Sequence, residues 1–220
     1  MLHTTFAKAK EANACIERYK KMGKALGGIA RYGKDTPVGL DKVLETCGLQ
    51  DAVWCFRCTI EPPGNTLIEF TCQCAEHVLH FYEDKYPDDK RPRQAIETAR
   101  ICITDKSNAA ADAAYVAAYA AYAAYVAAYA ADTADTAYAA YVAYAAAYAA
   151  YVAYAAYAAA DTAYAAYAAY AAADAAYVAY AADAAYAADA AYAADAAYAA
   201  GAAEEEWQKQ TLLKLLTNSE

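Results

Sequence analysis

Apolar and polar positions alternate in two distinct ways along this chain. Through about residue 106 the apolar residues fall in short helical groups punctuated by Gly, Pro and Asp. Lys8 to Ala25 reads as one helix. Ala14, Ile16, Met22 and Ala25 are among its apolar positions, Lys10, Lys20, Lys21 and Lys24 form a basic face, and Gly27-Gly28 ends it. Asp41 to Cys47 is a short helix stopped by Gly48, and Asp51 is placed to N-cap a helix carrying Trp54, Cys55, Phe56 and Cys58. Glu61-Pro-Pro-Gly-Asn65 is a turn. Leu67, Phe70, Cys74, Val78 and Phe81 recur at 3–4 spacing and predict an amphipathic helix over 67–82. Pro92 suits the first turn of the next helix, which runs through Ile96, Ala99 and Ile101.

From about residue 108 the chain is mostly Ala, Tyr and Asp, with scattered Val and Thr, and no Gly or Pro interrupts it before Gly201. Ala is the strongest helix former, so the block is helical. One rod would be roughly 140 Å long at ~1.5 Å per residue, so the block folds back on itself or projects as a stalk. Asp132-Thr133, Asp135-Thr136 and Asp161-Thr162 are the natural break points. They predict segments near 108–131, 136–160 and 162–200, the last with a break near Asp174. The stretch Glu204 to Leu216 is a conventional amphipathic helix whose Trp207 and Leu face docks on the body.

Tyr spacing separates the block into two kinds of helix. Tyr115, Tyr119, Tyr122, Tyr125 and Tyr129, and again Tyr138 to Tyr157, step by 3 and 4 and stay near one face, as in a packed seam with Ala allowing close approach. From Tyr177 the step is strictly 3, through Tyr180, Asp183, Tyr186, Asp189, Tyr192, Asp195 and Tyr198. Three residues advance ~300°, so this row slips by about 60° per step and winds around the helix. Seven of the eight aspartates in the block, Asp132 excepted, have a Tyr three residues on, which would let carboxylate and phenol meet. Two readings follow. Asp keeps the helix soluble and satisfies hydroxyls, or Asp183, Tyr186, Asp189, Tyr192, Asp195 and Tyr198 form a surface for a basic, flat or aromatic partner.

These elements predict an all-α fold: a helical bundle with a small N-terminal helical part packed on long Ala/Tyr-rich antiparallel helices. Its parts are 1–106, 107–203 and 204–220, expected as one compact unit. The apolar fraction of 61% changes that picture little, because Ala dominates it and the 24 Tyr must supply most of the large apolar area. Charge is more informative. Residues 1–106 carry 16 Lys/Arg against 15 Asp/Glu, whereas 107–220 carry 2 against 12. An acidic half repels nucleic acid and membrane and favours a basic partner. Asp every six helical residues is one charge per roughly 9 Å, too sparse to imitate duplex DNA. No apolar leader opens the chain and Asp interrupts the Ala/Tyr block, so neither a signal peptide nor a membrane span is expected. Seven cysteines, an odd number, read as reduced thiols in a cytoplasmic protein.

Catalytic and metal-binding patterns are weak. Cys55-x-x-Cys58, Cys72, Cys74, His77 and His80 could be assembled into a zinc site, but Cys-x-Cys spacing on a helix points to different faces. A Cys-x-x-Cys redox pair calls for a thioredoxin-like βαβ setting, which is absent. Glu83, Asp84, Asp88 and Asp89 beside Arg91 and Arg93 read as a capped helix junction. There is no phosphate loop, Ser/His/Asp signature or HExxH. No enzyme, cofactor or metal is expected.

Cys72-Gln-Cys-Ala-Glu-His-Val-Leu79 followed by Tyr86-Pro-Asp-Asp-Lys-Arg-Pro-Arg-Gln-Ala-Ile-Glu-Thr-Ala-Arg100 resembles the immunity proteins of bacterial polymorphic-toxin systems, in the group like the fifth immunity-protein family. Trp54 stands near that family's upstream aromatic segment, and the closing Glu-Trp-Gln before leucines also fits. The resemblance implies an all-helical inhibitor that binds and neutralises a protein toxin or effector, with structural weight on Cys74, Pro92, Ala95 and Ile96. Similar chains occur in phages, which implies an alternative: a counter-defence protein that sequesters a nucleotide ligand or caps a host protein. A third reading is a scaffold forming a homo-oligomer through Ala/Tyr helices.

Overall fold

A computed structural model describes residues 1–130, 134–158, 177 and 194–218; the side chains of 129–130, 134–139, 155–158 and 194–198 lie outside it. The described chain is all-α apart from one small strand pair. In the N-terminal part, β1 (His3–Thr4) leads into α1 (Phe6–Glu11), α2 (Ile16–Ala25) and α3 (Ile29–Tyr32). Then β2 (Val38–Gly39) precedes α4 (Leu40–Cys47) and α5 (Leu49–Cys55), and a 3-10 turn spans Phe56–Cys58. The two strands pair antiparallel, with His3 opposite Gly39 and Thr4 opposite Val38. The single helix expected over 8–25 is two. Asn13 sits at φ 62, a left-handed conformation that Asn tolerates, and ends α1. Gly48, at φ 98, both stops α4 and starts α5, so Asp51 lies in the first turn of α5 and not at its cap.

The bundle proper is α6 (Gly64–His77), α7 (Leu79–Lys85), α8 (Arg91–Thr104), α9 (Asn108–Ala130) and α10 (Ala134–Ala158). The helix expected over 67–82 is divided at Val78, a turn residue at φ −100, ψ 0, on the margin of the helical region. Pro92 occupies the first turn of α8. The Asp89 carboxylate precedes that turn, accepts from the Arg91 backbone amide at 3.1 Å and pairs with the Arg91 guanidinium. Glu83 takes both arms of Arg93. The acidic cluster is therefore a helix junction. Ser107 caps α9 by accepting from the Ala110 amide at 3.2 Å.

Helix α10 is the axis of the bundle, packed against α6, α7, α8 and α9. Ala140, Val142, Ala143, Ala145, Ala146, Ala149, Ala150, Val152 and Ala153 are all fully buried. Large side chains of the ordinary-complexity helices supply bulk to this core: Leu67, Ile68 and Phe70 from α6, Tyr82 from α7 and Ile96 from α8. Cys74, Ala95 and Ile96 are buried, as is Pro92.

The last helix, α11 (Ala194–Thr217), is continuous through Gly201 and begins ten residues before the acidic stretch. Glu204, Glu205 and Glu206 are thus mid-helix and gain little from the macrodipole. Helix α11 packs on α4, α5 and α6, joining the N-terminal part to the bundle. Its anchor is polar. Glu204, with a side chain 0% exposed, meets His77 Nδ1 at 2.7 Å and accepts from Gln208 Nε2 at 2.8 Å. The His77 ring stacks on Trp207 with centroids 3.8 Å apart and planes 7° from parallel. All buried side-chain polar atoms described have hydrogen-bond partners.

Candidate binding surface

Helix α9 is built inside out. Ala110, Ala111, Ala114, Ala118, Ala121, Ala124 and Ala128 face the bundle, each at most 7% exposed. The larger apolar residues face outward: Tyr115 is 37% exposed, Val116 66%, Tyr119 58%, Tyr122 46% and Val126 48%. Both rows follow i, i+3, i+4 spacing, so each is one stripe of the same helix. Ala on the inner stripe lets α9 lie close to α8 and α10, and a Tyr there would hold the backbones apart. On the outer stripe each phenol keeps its hydroxyl within reach of a partner or water.

The outward tyrosines meet those of α10. Tyr115 approaches Tyr154 at 4.9 Å and Tyr151 at 6.4 Å between centroids, while Tyr125 and Tyr122 approach Tyr144 at 4.8 and 6.0 Å. These pairings set α9 and α10 antiparallel; of the expected break points, Asp135-Thr136 lies inside α10, because Ala on both sides carries the helix through it, and Asp132-Thr133 and Asp161-Thr162 lie outside the described residues. Hydroxyls pair along each helix, Tyr115 with Tyr119 at 3.0 Å and Tyr144 with Tyr148 at 2.8 Å. The bond to Tyr119 raises the Tyr115 phenol pKa above its ordinary value. Tyr119, Tyr122, Tyr144, Tyr148 and Tyr151 line a groove of about 230 Å³ floored by Ala118 and Ala147. No Lys or Arg occurs between Lys106 and Lys209, so the groove is neutral, aromatic and hydroxyl-rich.

The sequence reading placed these tyrosines in a packed seam. Among the described side chains, Tyr115, Tyr119 and Tyr122 of α9 face outward and Tyr125 is half-buried, while on α10 Tyr144, Tyr148, Tyr151 and Tyr154 are half-buried and Tyr141 is exposed. The expected Asp/Tyr pairing is testable at Asp112. There the Tyr115 hydroxyl bonds Tyr119. A phenol reaches far beyond an Asp carboxylate on the same helix, whereas two Tyr four residues apart have equal reach. Asp183, Tyr186, Asp189 and Tyr192 lie outside the described residues. Asp195 and Tyr198 fall in the opening turns of α11, with side chains outside the description. Tyr177, where the strict three-residue step begins, is 65% exposed.

Other candidate chemistry recedes. Among the described residues no group of three or more His, Cys, Asp or Glu is arranged to hold a metal. Cys72 faces α8, its thiol 3.8 Å from the Ile96 carbonyl, and burial raises the pKa of both Cys72 and Cys74. All seven cysteines are free, and among the described residues no helix is long and apolar enough to cross a membrane.

The model of the family described as "Imm-5 like putative immunity protein" matches residues 61–173, a span that begins just before α6 and takes in all of α7 to α10. The chain belongs to this immunity-protein family. The matched span holds both the buried motif helices and the tyrosine groove. Comparison with curated proteins and with solved structures finds no match.

Proposed function

We propose that the protein is a non-enzymatic inhibitor that neutralises a toxin or effector protein by direct binding, with the outer face of α9 and its tyrosine groove as the docking surface. The observation that carries this reading is the inverted helix, with small residues inside and Tyr and Val outside. At the exposed fractions given above, the stripe from Tyr115 to Val126 presents on the order of 500 Å² of side chain, the upper range for one patch on a monomer. Tyrosine suits recognition. It offers large, rigid contact area with few torsions to freeze, and a hydroxyl for polar contact.

The acidic second half selects a basic partner. Asp183, Tyr186, Asp189, Tyr192, Asp195 and Tyr198 are a second proposed contact for it. Phosphates gain no countercharge in the groove, which argues against a nucleotide ligand.

The test is co-expression with any toxin gene found beside this one. The wild-type chain restores growth and co-purifies with the toxin. Tyr119→Ala with Tyr122→Ala loses both while staying soluble and helical. Asp183→Asn, Asp189→Asn and Asp195→Asn together weaken a basic partner's binding. No rescue and no complex, or melting shifts with a nucleotide panel in their place, would overturn the proposal.

A further inference from the structure

The tyrosine groove offers aromatic faces and a surplus of hydrogen-bond acceptors. Tyr119 stands edge-on to Tyr115, with centroids 4.8 Å apart and planes at 68°, and Tyr148 stands at the same angle to Tyr144 at 4.7 Å. In an edge-on pair one ring lends its edge and keeps its own π faces for a third group. Tyr122 and Tyr144, one from each helix, lie 6.0 Å apart with planes at 52°. The hydroxyls are one-sided in what they offer. Two phenols bring two O–H donors and four acceptor sites, and a bond between them uses one of each. The bond from Tyr115 to Tyr119, both exposed, at 3.0 Å therefore leaves more acceptor sites than donors. Charge points the same way. The one charged residue of α9 is Asp112, exposed on the outer stripe about 10 Å before Tyr119. Lys106, which precedes the helix, is engaged with Asn65 Oδ1 and the Cys102 carbonyl.

We infer that the groove is a receptor for an arginine side chain of the docked partner, the guanidinium lying against tyrosine ring faces and donating to tyrosine hydroxyls. This rests on the reading of the outer face of α9 as the docking surface. A guanidinium is a planar cation with five N–H donors and no acceptor, so it matches both the faces and the surplus of acceptor sites. It is also more weakly hydrated than an ammonium and gives up less on entering. An aliphatic side chain would cover the same hydroxyls without donating to them.

Size and floor agree. The groove, about 230 Å³, is roomier than a cavity of ~150 Å³ that admits benzene, so a guanidinium and the methylenes that carry it fit. Ala118 and Ala147 floor it with single methyl groups, which leaves the depth to the tyrosines on either side. The excess of carboxylates over Lys and Arg in the second half of the chain draws a cation to this side of the molecule.

The experiment titrates the full chain with Nα-acetyl-arginine N-methylamide and with the matching lysine and citrulline compounds, read by ligand-detected NMR at fixed ionic strength. Citrulline keeps the length and the planar end of arginine without the charge. The expected result is saturable binding of the arginine compound, at least about fivefold tighter than either of the others. Tyr119→Ala weakens it by at least about fivefold, Tyr119→Phe, which keeps the ring, by less, and Tyr177→Ala, outside the groove, leaves it unchanged. Arginine bound no better than citrulline or lysine, or bound equally well by Tyr119→Ala, would overturn the inference. The rank order is read on the wild-type chain and decides the matter even if a variant folds poorly. Loss of that rank order with a toxin complex that still needs Tyr119 and Tyr122 would overturn the arginine and leave the docking face standing. Selective arginine binding with a toxin complex indifferent to both tyrosines would overturn the docking face instead.

Discussion

Exchanging the roles of two neighbours on α9 tests whether the helix is packed by its small residues. Val116 is 66% exposed and Ala121 is 0% exposed. In Val116→Ala only about a third of two methyl groups' worth of buried surface is lost, near 0.5 kcal/mol. Ala recovers a similar amount, about 0.5 kcal/mol, through its higher helix propensity. The net change is within about 0.5 kcal/mol. Ala121→Leu instead pushes three carbons into filled space between α9 and its neighbours, which costs about 1–3 kcal/mol. For a chain of this size that is a fall in Tm of roughly 3–10 °C. Far-UV circular dichroism during urea and thermal unfolding reads both variants. The reasoning is refuted if Val116→Ala costs more than about 2 kcal/mol, the scale of a truncated core side chain, while Ala121→Leu is tolerated.

The remaining predictions concern the polar anchors. Glu204→Ala removes the acceptor of Gln208 Nε2 and the partner of His77; it should destabilise by about 1–3 kcal/mol, with Trp207 fluorescence reporting earlier release of α11. Glu204→Gln, which keeps the shape and one carbonyl, should lose less. Asp89 is held at about 2, below its ordinary 3.8, chiefly by hydrogen bonds from Arg91 and also by the Tyr82 hydroxyl. A depressed carboxylate stabilises the fold above its unfolded pKa, so this contribution, about 2 kcal/mol, is full above roughly pH 4 and fades as pH falls toward 2. Asp89→Asn should remove that acid limb from a stability–pH profile, and an unchanged limb would contradict the assignment.

Much of the fold was readable before the structure, and the parts that were not share physical causes. Ala's propensity predicted helices over the spans of α9 and α10, because it is a local effect, whereas Asp135-Thr136, expected as a break, is carried through inside α10. Which stripe of α9 faces inward was not readable. Ala and Tyr rows have the same period, and close approach to α8 and α10 decided between them. Asn13 broke one expected helix and Val78 another without Gly or Pro to mark the place. The anchor of α11 joins His77 to Glu204, 127 residues apart, which no spacing rule anticipates. The family motif was legible because its buried positions, Cys74, Ala95 and Ile96, are packed inside the helices that carry it.

Equilibrium titration of this protein with the purified toxin identified by co-expression tests the central claim most directly. Wild type is expected to form a saturable complex, and Tyr119→Ala with Tyr122→Ala to weaken it by at least about 30-fold, equivalent to about 2 kcal/mol from a hot spot. An unchanged Kd in a fully helical double variant would contradict the assignment of α9 as the docking face.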